Sequence, residues 1–309
     1  MDVRTVIHVA IAFDKNYLNQ FYALLSSIGH SNRDNKLHVH CIATGLPEGV
    51  WENVESYAAD FGFEIYNYQV DQDMAGRFVL SGNWTMAAYY RLFFPFLVPE
   101  STERLLYIDT DTLVVGDLEE LYNQDIGIFP VGAVYDNYVK KQPLIGITED
   151  ENYFNSGMLL IDIPRWKEQR VSEQAFDYLL QYPERIRYVD QCALNAVLHN
   201  NWKKLSFRFN VMTTLIPKHM NAKGRKHFLK DKVILHFTLQ RPWLYLCDHP
   251  YRGLYRYYLE KVSFLKGKPF QDFSLGKIPR RLKIDITNYY LGNERMKRIW
   301  QALKGKASE

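Results

Sequence analysis

Asp109 and Asp111 stand one residue apart in Leu105-Leu106-Tyr107-Ile108-Asp109-Thr110-Asp111-Thr112-Leu113-Val114-Val115, with apolar runs on both sides. An apolar run that ends in acid groups predicts a buried strand delivering carboxylates to the edge of a site. Residues two apart on a strand face the same way, about 7 Å apart along the chain. A turn just after Asp109 lets Asp111 swing towards a cation that Asp109 also meets, directly or through water. Carboxylate oxygens suit Mg2+ or Mn2+, and such ions commonly arrive with substrate phosphates. The tripeptide also fits an ordinary polar turn, since Asp and Thr are frequent in turns.

The elements that would position these groups follow from periodicity. Residues 6–13 form a short apolar run of buried-strand type, closed by Asp14. Leu18, Phe21, Tyr22, Leu25 and Ile28 then recur at helical spacing over 16–29. Residues 37–43 alternate as a second strand, 47–61 read as a helix with Pro47 at its start, and 63–70 as a third strand. Strand and helix alternating in this way predict a parallel sheet with right-handed crossovers. Ligands of such sheets bind beyond the carboxyl ends of the strands, where Asp14, Asp109 and Asp111 all fall. Residues 71–85 are polar and long enough to form a lid. A helix over 86–97 carries Arg91. Further on come a short helix (118–123), strands over 128–135 and 154–163, helices over 164–182 and 190–199, and a late strand over 233–237.

The 309 residues are 47% hydrophobic and 24% charged, ordinary for a soluble globular chain. The three cysteines, Cys41, Cys192 and Cys247, form no CxxC pair and read as reduced thiols rather than a disulfide frame or zinc site. Residues 6–13 are too short for a signal segment and His8 interrupts them, while no run approaches a membrane span. The expected location is therefore cytoplasmic. Residues 277–309 hold nine Lys/Arg against three Asp/Glu, whereas the rest holds 29 against 32. The basic character thus belongs to the tail, which argues against a nucleic-acid partner for the main body.

Several other fragments come into register with the acid pair. They are Ala12-Phe13-Asp14-Lys15-Asn16-Tyr17, Tyr90-Arg91-Leu92, Tyr153-Phe154-Asn155-Ser156-Gly157 with Trp166, Asp190-Gln191-Cys192-Ala193-Leu194-Asn195, and His236-Phe237 followed by Arg241-Pro242-Trp243. In this order and spacing the chain resembles glycosyltransferase family 8, which includes bacterial lipopolysaccharide galactosyl- and glucosyltransferases and glycogenin. The resemblance implies an α/β domain of GT-A type, with a mostly parallel central sheet and flanking helices. It further implies a UDP-sugar donor (UDP-glucose or UDP-galactose), Mn2+ with Mg2+ as the alternative, a saccharide acceptor and retention of anomeric configuration. Asp109, Asp111 and His236 match the family's metal ligands, with Thr110 between the acids. Asp14 and Asn16 match its uracil and ribose contacts, Tyr17 a stacking partner for the base, and Arg91 a contact to donor sugar and diphosphate. Asn155, Asp190 and Gln191 match positions near the anomeric carbon. Gln191, Asp190 and Arg91 are the expected catalytic residues, with Gln191 as a stabiliser because a neutral amide is a poor nucleophile. The late motif departs from the family: Thr238-Leu239-Gln240-Arg241 lacks the usual Gly and is a residue short, although Arg241 can still pair with a diphosphate.

The expected domain layout is a catalytic domain over 1–262 and a basic tail over 263–309. Met296, Ile299, Trp300 and Leu303 share a helical stripe flanked by Lys297, Arg298 and Lys304, a pattern that suits either peripheral contact with an anionic inner-membrane face or docking on the core. Two rival functions carry features of their own. The string Asp109-Thr110-Asp111-Thr112-Leu113 resembles the first motif of haloacid-dehalogenase-type Mg2+-dependent phosphatases, but no later acidic strand-end pair supports it. An inactive UDP-sugar-binding protein is the other.

Overall fold

The computed structural model describes residues 6–70, 89–139, 141–265, 270–293, 295–296 and 298–299. The expected lid over 71–85, the start of the helix over 86–97, and Trp300 and Leu303 of the tail stripe lie outside the described residues. The chain begins β1 (Val6–Asp14), α1 (Leu18–Ser31), β2 (Lys36–Thr44), α2 (Val50–Ala59) and β3 (Glu64–Asn67). These five follow the apolar runs and helical spacings of the sequence, and β1, β2 and β3 pair in parallel.

The helix expected over 86–97 is broken: a single 3-10 turn at Tyr90–Leu92 precedes α3 (Phe94–Leu97). Pro95 lacks an N–H, and its ring would meet the carbonyl four residues back, so one continuous helix cannot form. Next come β4 (Arg104–Ile108), β5 (Thr112–Val114), α4 (Leu118–Tyr122), β6 (Val131–Tyr135) and β7 (Phe154–Asp162). The long helix expected over 164–182 is instead α5 (Ile163–Glu168) and α6 (Val171–Gln181), divided where Arg170 takes φ 51°. The chain continues through α7 (Val189–Val197), β8 (Lys203–Lys204), β9 (Val211–Met212), α8 (Ala222–Leu229), β10 (Ile234–His236), α9 (Arg252–Glu260) and α10 (Ile278–Leu291).

Seven strands form the central sheet in the order β3-β2-β1-β4-β7-β6-β8, and β5-β10-β9 form a small second sheet. Pairing is parallel except where β7 runs against β4 and β6, so the central sheet is mostly parallel, as expected. Alternation along β1 sorts the two faces. Ile7, Val9, Ile11 and Phe13 pack with Phe21, Leu24, Leu25 and Ile28 of α1 and Val54 of α2. Ala10 and Ala12 face the other core, which holds Phe94, Trp166, Phe176 and Leu194. Burying side chains of this size contributes roughly 1.5–3 kcal/mol each.

At the amino end of the sheet a row of imidazoles crosses the strands. His8 and His38 are in register on β1 and β2, and His8 Nδ1 lies 2.9 Å from His40 Nε2. His40 Nδ1 reaches the Tyr68 hydroxyl at 2.8 Å, and its ring stacks against Tyr66. Burial, followed by the neighbouring rings of His8 and His38, lowers the His40 pKa to about 3. The unfolded chain therefore takes up this proton first, below about pH 6.5, and stability falls as pH drops from there towards 3. At pH 5 this one buried ring should cost about 2 kcal/mol relative to pH 8. Urea melts at pH 8 and pH 5 test this, with His40→Gln predicted to flatten the decline; an unchanged pH slope in the variant would contradict the assignment.

Candidate active site

Three elements bring the acids and the imidazole together. Ile108 ends β4, and the Asp109 N–H donates to Gly157 O of β7 at 2.9 Å, which fixes Asp109 at the sheet rim. The chain turns through Thr110, where the Thr112 hydroxyl donates to Asp109 O at 2.7 Å, and then joins the second sheet as β5. There Thr112 pairs with His236 of β10, and the Phe237 N–H donates to Asp111 O at 2.9 Å. The result is one ligand atom from each of Asp109, Asp111 and His236 within 4.8 Å of one another.

The surroundings fit a divalent cation. His236 is 3% exposed, and its Nδ1 lies 2.9 Å from Asn210 Oδ1, an acceptor that fixes the ring proton on Nδ1. Nε2 lies 3.1 Å from Asp111 Oδ1: it donates there when the imidazole is protonated and offers its lone pair to a cation when it is not. Such an outer partner on a ligating histidine orients the ring and raises its basicity. Asp109 Oδ1 accepts from Tyr107 Oη at 2.8 Å and Arg91 Nη2 at 3.0 Å, leaving Oδ2 for a ligand. Gly157 is required beside them, because a Cβ there would lie 2.3 Å from His236 Cε1 and 2.7 Å from Asp109 Oδ2. Burial alone would raise the Asp111 carboxyl and lower His236. Their mutual attraction outweighs it, holding the acid below and the imidazole above its usual range.

These residues open onto a cavity of about 400 Å³. Of the sequence-derived candidates, Tyr17, Arg91, Asp109, Asp111, Asn155, Asp190, Gln191, His236 and Arg241 all line it. Asp14 and Asn16 do not: Asp14 caps the turn after β1, accepting the Asn16 N–H at 2.7 Å. Thr110 is buried within the acid turn. Tyr17 meets Trp243 edge-on at 6.0 Å, and both rings line the cavity.

Arg91 is buried and acts as a clamp. Its Nε pairs with Asp190 Oδ2 at 2.8 Å, its Nη2 with Asp109, its Nη1 with Ser156 O, and its guanidinium lies 4.5 Å from the centre of the Tyr107 ring. Burial raises the Asp190 pKa to about 7 even against the pull of Arg91. Gln191 is held by its own partners: Oε1 accepts from Ser156 N at 3.0 Å, and Nε2 donates to Asp136 Oδ2 at 3.3 Å.

Two residues escaped the sequence reading. Asp136, 5% exposed, follows β6 and lines the cavity; its position at a strand's carboxyl end was the available signal. Asn210 is fully buried and links Asn155 to His236, donating to Asn155 Oδ1 at 2.9 Å. No spacing in the sequence marks it. Asn155 is likewise occupied, with Nδ2 shared between Asp136 and Gln191 at 3.2 Å each, so it braces the cavity wall. Two cavity residues also sit in the left-handed region, Val189 at φ 34° and Leu239 at φ 64°. Strain of this kind concentrates at functional sites.

Comparison with known proteins accords with this geometry. The model for glycosyl transferase family 8 matches residues 8–247. General stress protein A of Bacillus subtilis (strain 168) is 30% identical over 271 residues, spanning 84% of this chain and 95% of that protein. The lipopolysaccharide 1,2-glucosyltransferase of Escherichia coli (strain K12) is 25% identical over 296 residues, spanning 92% and 87%. In fold, the crystal structure of the galactosyltransferase LgtC with donor and acceptor sugar analogues superposes with a TM-score of 0.72 at 22% identity, covering 89% of this chain and all of that one. Nothing in these matches favours a phosphatase. The fold is of GT-A type, and the chain belongs to glycosyltransferase family 8 as a metal-dependent glycosyltransferase.

Proposed function

We propose that the chain transfers a hexose, glucose or galactose, from a UDP-sugar to an envelope saccharide such as lipopolysaccharide, with retention at the anomeric carbon. The observation that carries this is the convergence of Asp109, Asp111 and His236 on a cavity that Arg91 and Arg241 also line. Both named hexoses occur among the similar proteins, a glucosyltransferase by sequence and a galactosyltransferase by fold.

Mn2+ held by Asp109, Asp111 and His236 would supply Lewis-acid neutralisation of the leaving diphosphate. Arg241 adds a guanidinium to the same charge, and Arg91, fixed by two carboxylates, adds a second. Tyr17 offers a face to the uracil, while Asp14 and Asn16, adjoining it in sequence, serve the nucleoside. Asp190 is tied to Arg91 and to Ser156 Oγ at 3.2 Å, so it positions the clamp rather than attacking carbon. Gln191 and Asp136, which also line the cavity, serve the reacting sugar, with Gln191 stabilising the oxocarbenium-like centre. With leaving-group stabilisation dominant, the acceptor hydroxyl attacks from the face the diphosphate leaves, and a phosphate oxygen takes its proton. The catalytic domain is assigned to 1–262, with 263–309 as a tail. Among the described residues no helix is long and apolar enough to cross a membrane. α10 exposes Leu282, Ile286 and Tyr289, which supports a peripheral role at a cytoplasmic membrane face.

Three outcomes test this account. Asp109→Asn should lower sugar transfer with Mn2+ by at least about 10²-fold, with circular dichroism unchanged; near-wild-type turnover would remove Asp109 from the site. Asn210→Ala should weaken Mn2+ binding about 10–100-fold by freeing the His236 ring, measured by calorimetry with UDP present, and equal affinity would contradict the bracing role. Leu239→Gly, which removes a side chain from left-handed backbone, should raise stability by about 0.5–1 kcal/mol; a lower melting temperature would show that the Leu239 side chain holds the loop.

A further inference from the structure

A second cavity, of about 490 Å³, is lined by α10, by the residues leading into α9 and by the start of α8. Four cations line it, Lys218, Arg225, Arg252 and Arg281, against two carboxylates, Asp248 and Asp285. Both acids are already engaged. Arg252 Nη2 donates to Asp285 Oδ1 at 2.6 Å, Arg281 Nε to Asp285 Oδ2 at 2.8 Å, and Asn288 Nδ2 to Asp248. Arg225 is bonded through Nη1 to Met220 O at 2.7 Å, and Lys218 is exposed. Among the described residues neither of these two has a carboxylate within ion-pair distance. The surrounding segment, residues 218–232, carries six Lys/Arg against one Asp, so its field is positive.

Two further residue groups line the same cavity. His249, 2% exposed, accepts the Tyr251 N–H on Nδ1 at 3.1 Å, which places the ring proton on Nε2. That buried Nε2–H has no acceptor among the described residues. Asn221 and Ala222, at the start of α8, also line the cavity, and Asn221 caps the helix by accepting the Gly224 N–H at 2.7 Å. The first N–H groups of a helix and its dipole favour an anion.

We propose that this cavity binds a phosphate ester, with Lys218 and Arg225 meeting its charge and the first turn of α8 completing its oxygens. A neutral sugar would leave both cations unmatched, whereas a phosphate presents several oxygens to donors of both kinds. The site is separate from the catalytic cavity, so its occupancy does not depend on sugar transfer. The ester belongs either to a soluble phosphorylated molecule or to the headgroup of an anionic lipid.

Calorimetry of the full chain with glycerol 3-phosphate, without Mn2+ and at ionic strength held constant with KCl, tests the site. The expected result is saturable binding of one ligand per chain, weakened at least about tenfold (1.4 kcal/mol) in the double variant Lys218→Gln, Arg225→Gln. Stabilisation of that variant by UDP with Mn2+ should stay as in the wild type, which shows the fold and catalytic cavity intact. Co-sedimentation with phosphatidylglycerol but not phosphatidylcholine vesicles, lost in the double variant, would assign the lipid source. Binding of glycerol 3-phosphate without vesicle retention would assign the soluble one. Absence of binding in both formats, or equal binding by the double variant, would overturn the proposal.

Discussion

Four carboxylates, those of Asp109, Asp111, Asp136 and Asp190, line one cavity, and their mutual repulsion is the constraint around which the site is built. Carboxylates this close raise one another's pKa unless opposite charge or donors intervene. Here each acid has its own answer. Arg91 bridges Asp109 and Asp190, His236 pairs with Asp111, and Asp136 accepts the Tyr138 and Val139 N–H groups and the Asn155 and Gln191 amides. Only Asp109 and Asp111 retain partial exposure, at 25% and 31% of their side chains, and these are the two that a cation can reach. Asp190, buried beside Arg91, is the acid whose charge is hardest to keep.

The backbone supplies the rest of the geometry. β4 and β5 belong to different sheets, so Asp109-Thr110-Asp111 is the corner where the chain leaves one and enters the other. Antiparallel pairing of β5 with β10 then sets His236 beside Thr112, one residue from Asp111. A one-residue slip of that pairing would turn the imidazole to the other face. Asn210 immediately precedes β9, which runs parallel to β10, so the segment leading into the strand beside His236 supplies the residue that orients it.

Much of this was legible in the sequence where apolar pattern and structure share a period. β1, α1, β2, α2 and β7 lie close to where Val, Ile, Leu and Phe recur, because each buries a face against the sheet. The ligand set was legible only through the family resemblance, since no spacing links His236 to residues more than a hundred positions earlier. α9 and α10 went unread because their buried faces use Tyr255, Tyr258 and Arg281, side chains that carry a weak apolar signal. The break between α5 and α6 occurs at Arg170 without a Gly to announce it, and Leu239 likewise turns the late loop through left-handed backbone without a Gly. In both places tertiary context imposes backbone that local propensity opposes.

The central claim is that one imidazole and two carboxylates hold a divalent cation against a nucleotide diphosphate. Pulsed electron paramagnetic resonance of Mn2+ bound to the full chain with UDP measures this directly. The account predicts one nitrogen coupling, which shifts when the protein is labelled with 15N-histidine and vanishes in His236→Ala, together with phosphorus couplings from UDP. A Mn2+ spectrum with phosphorus couplings but no histidine nitrogen would contradict it.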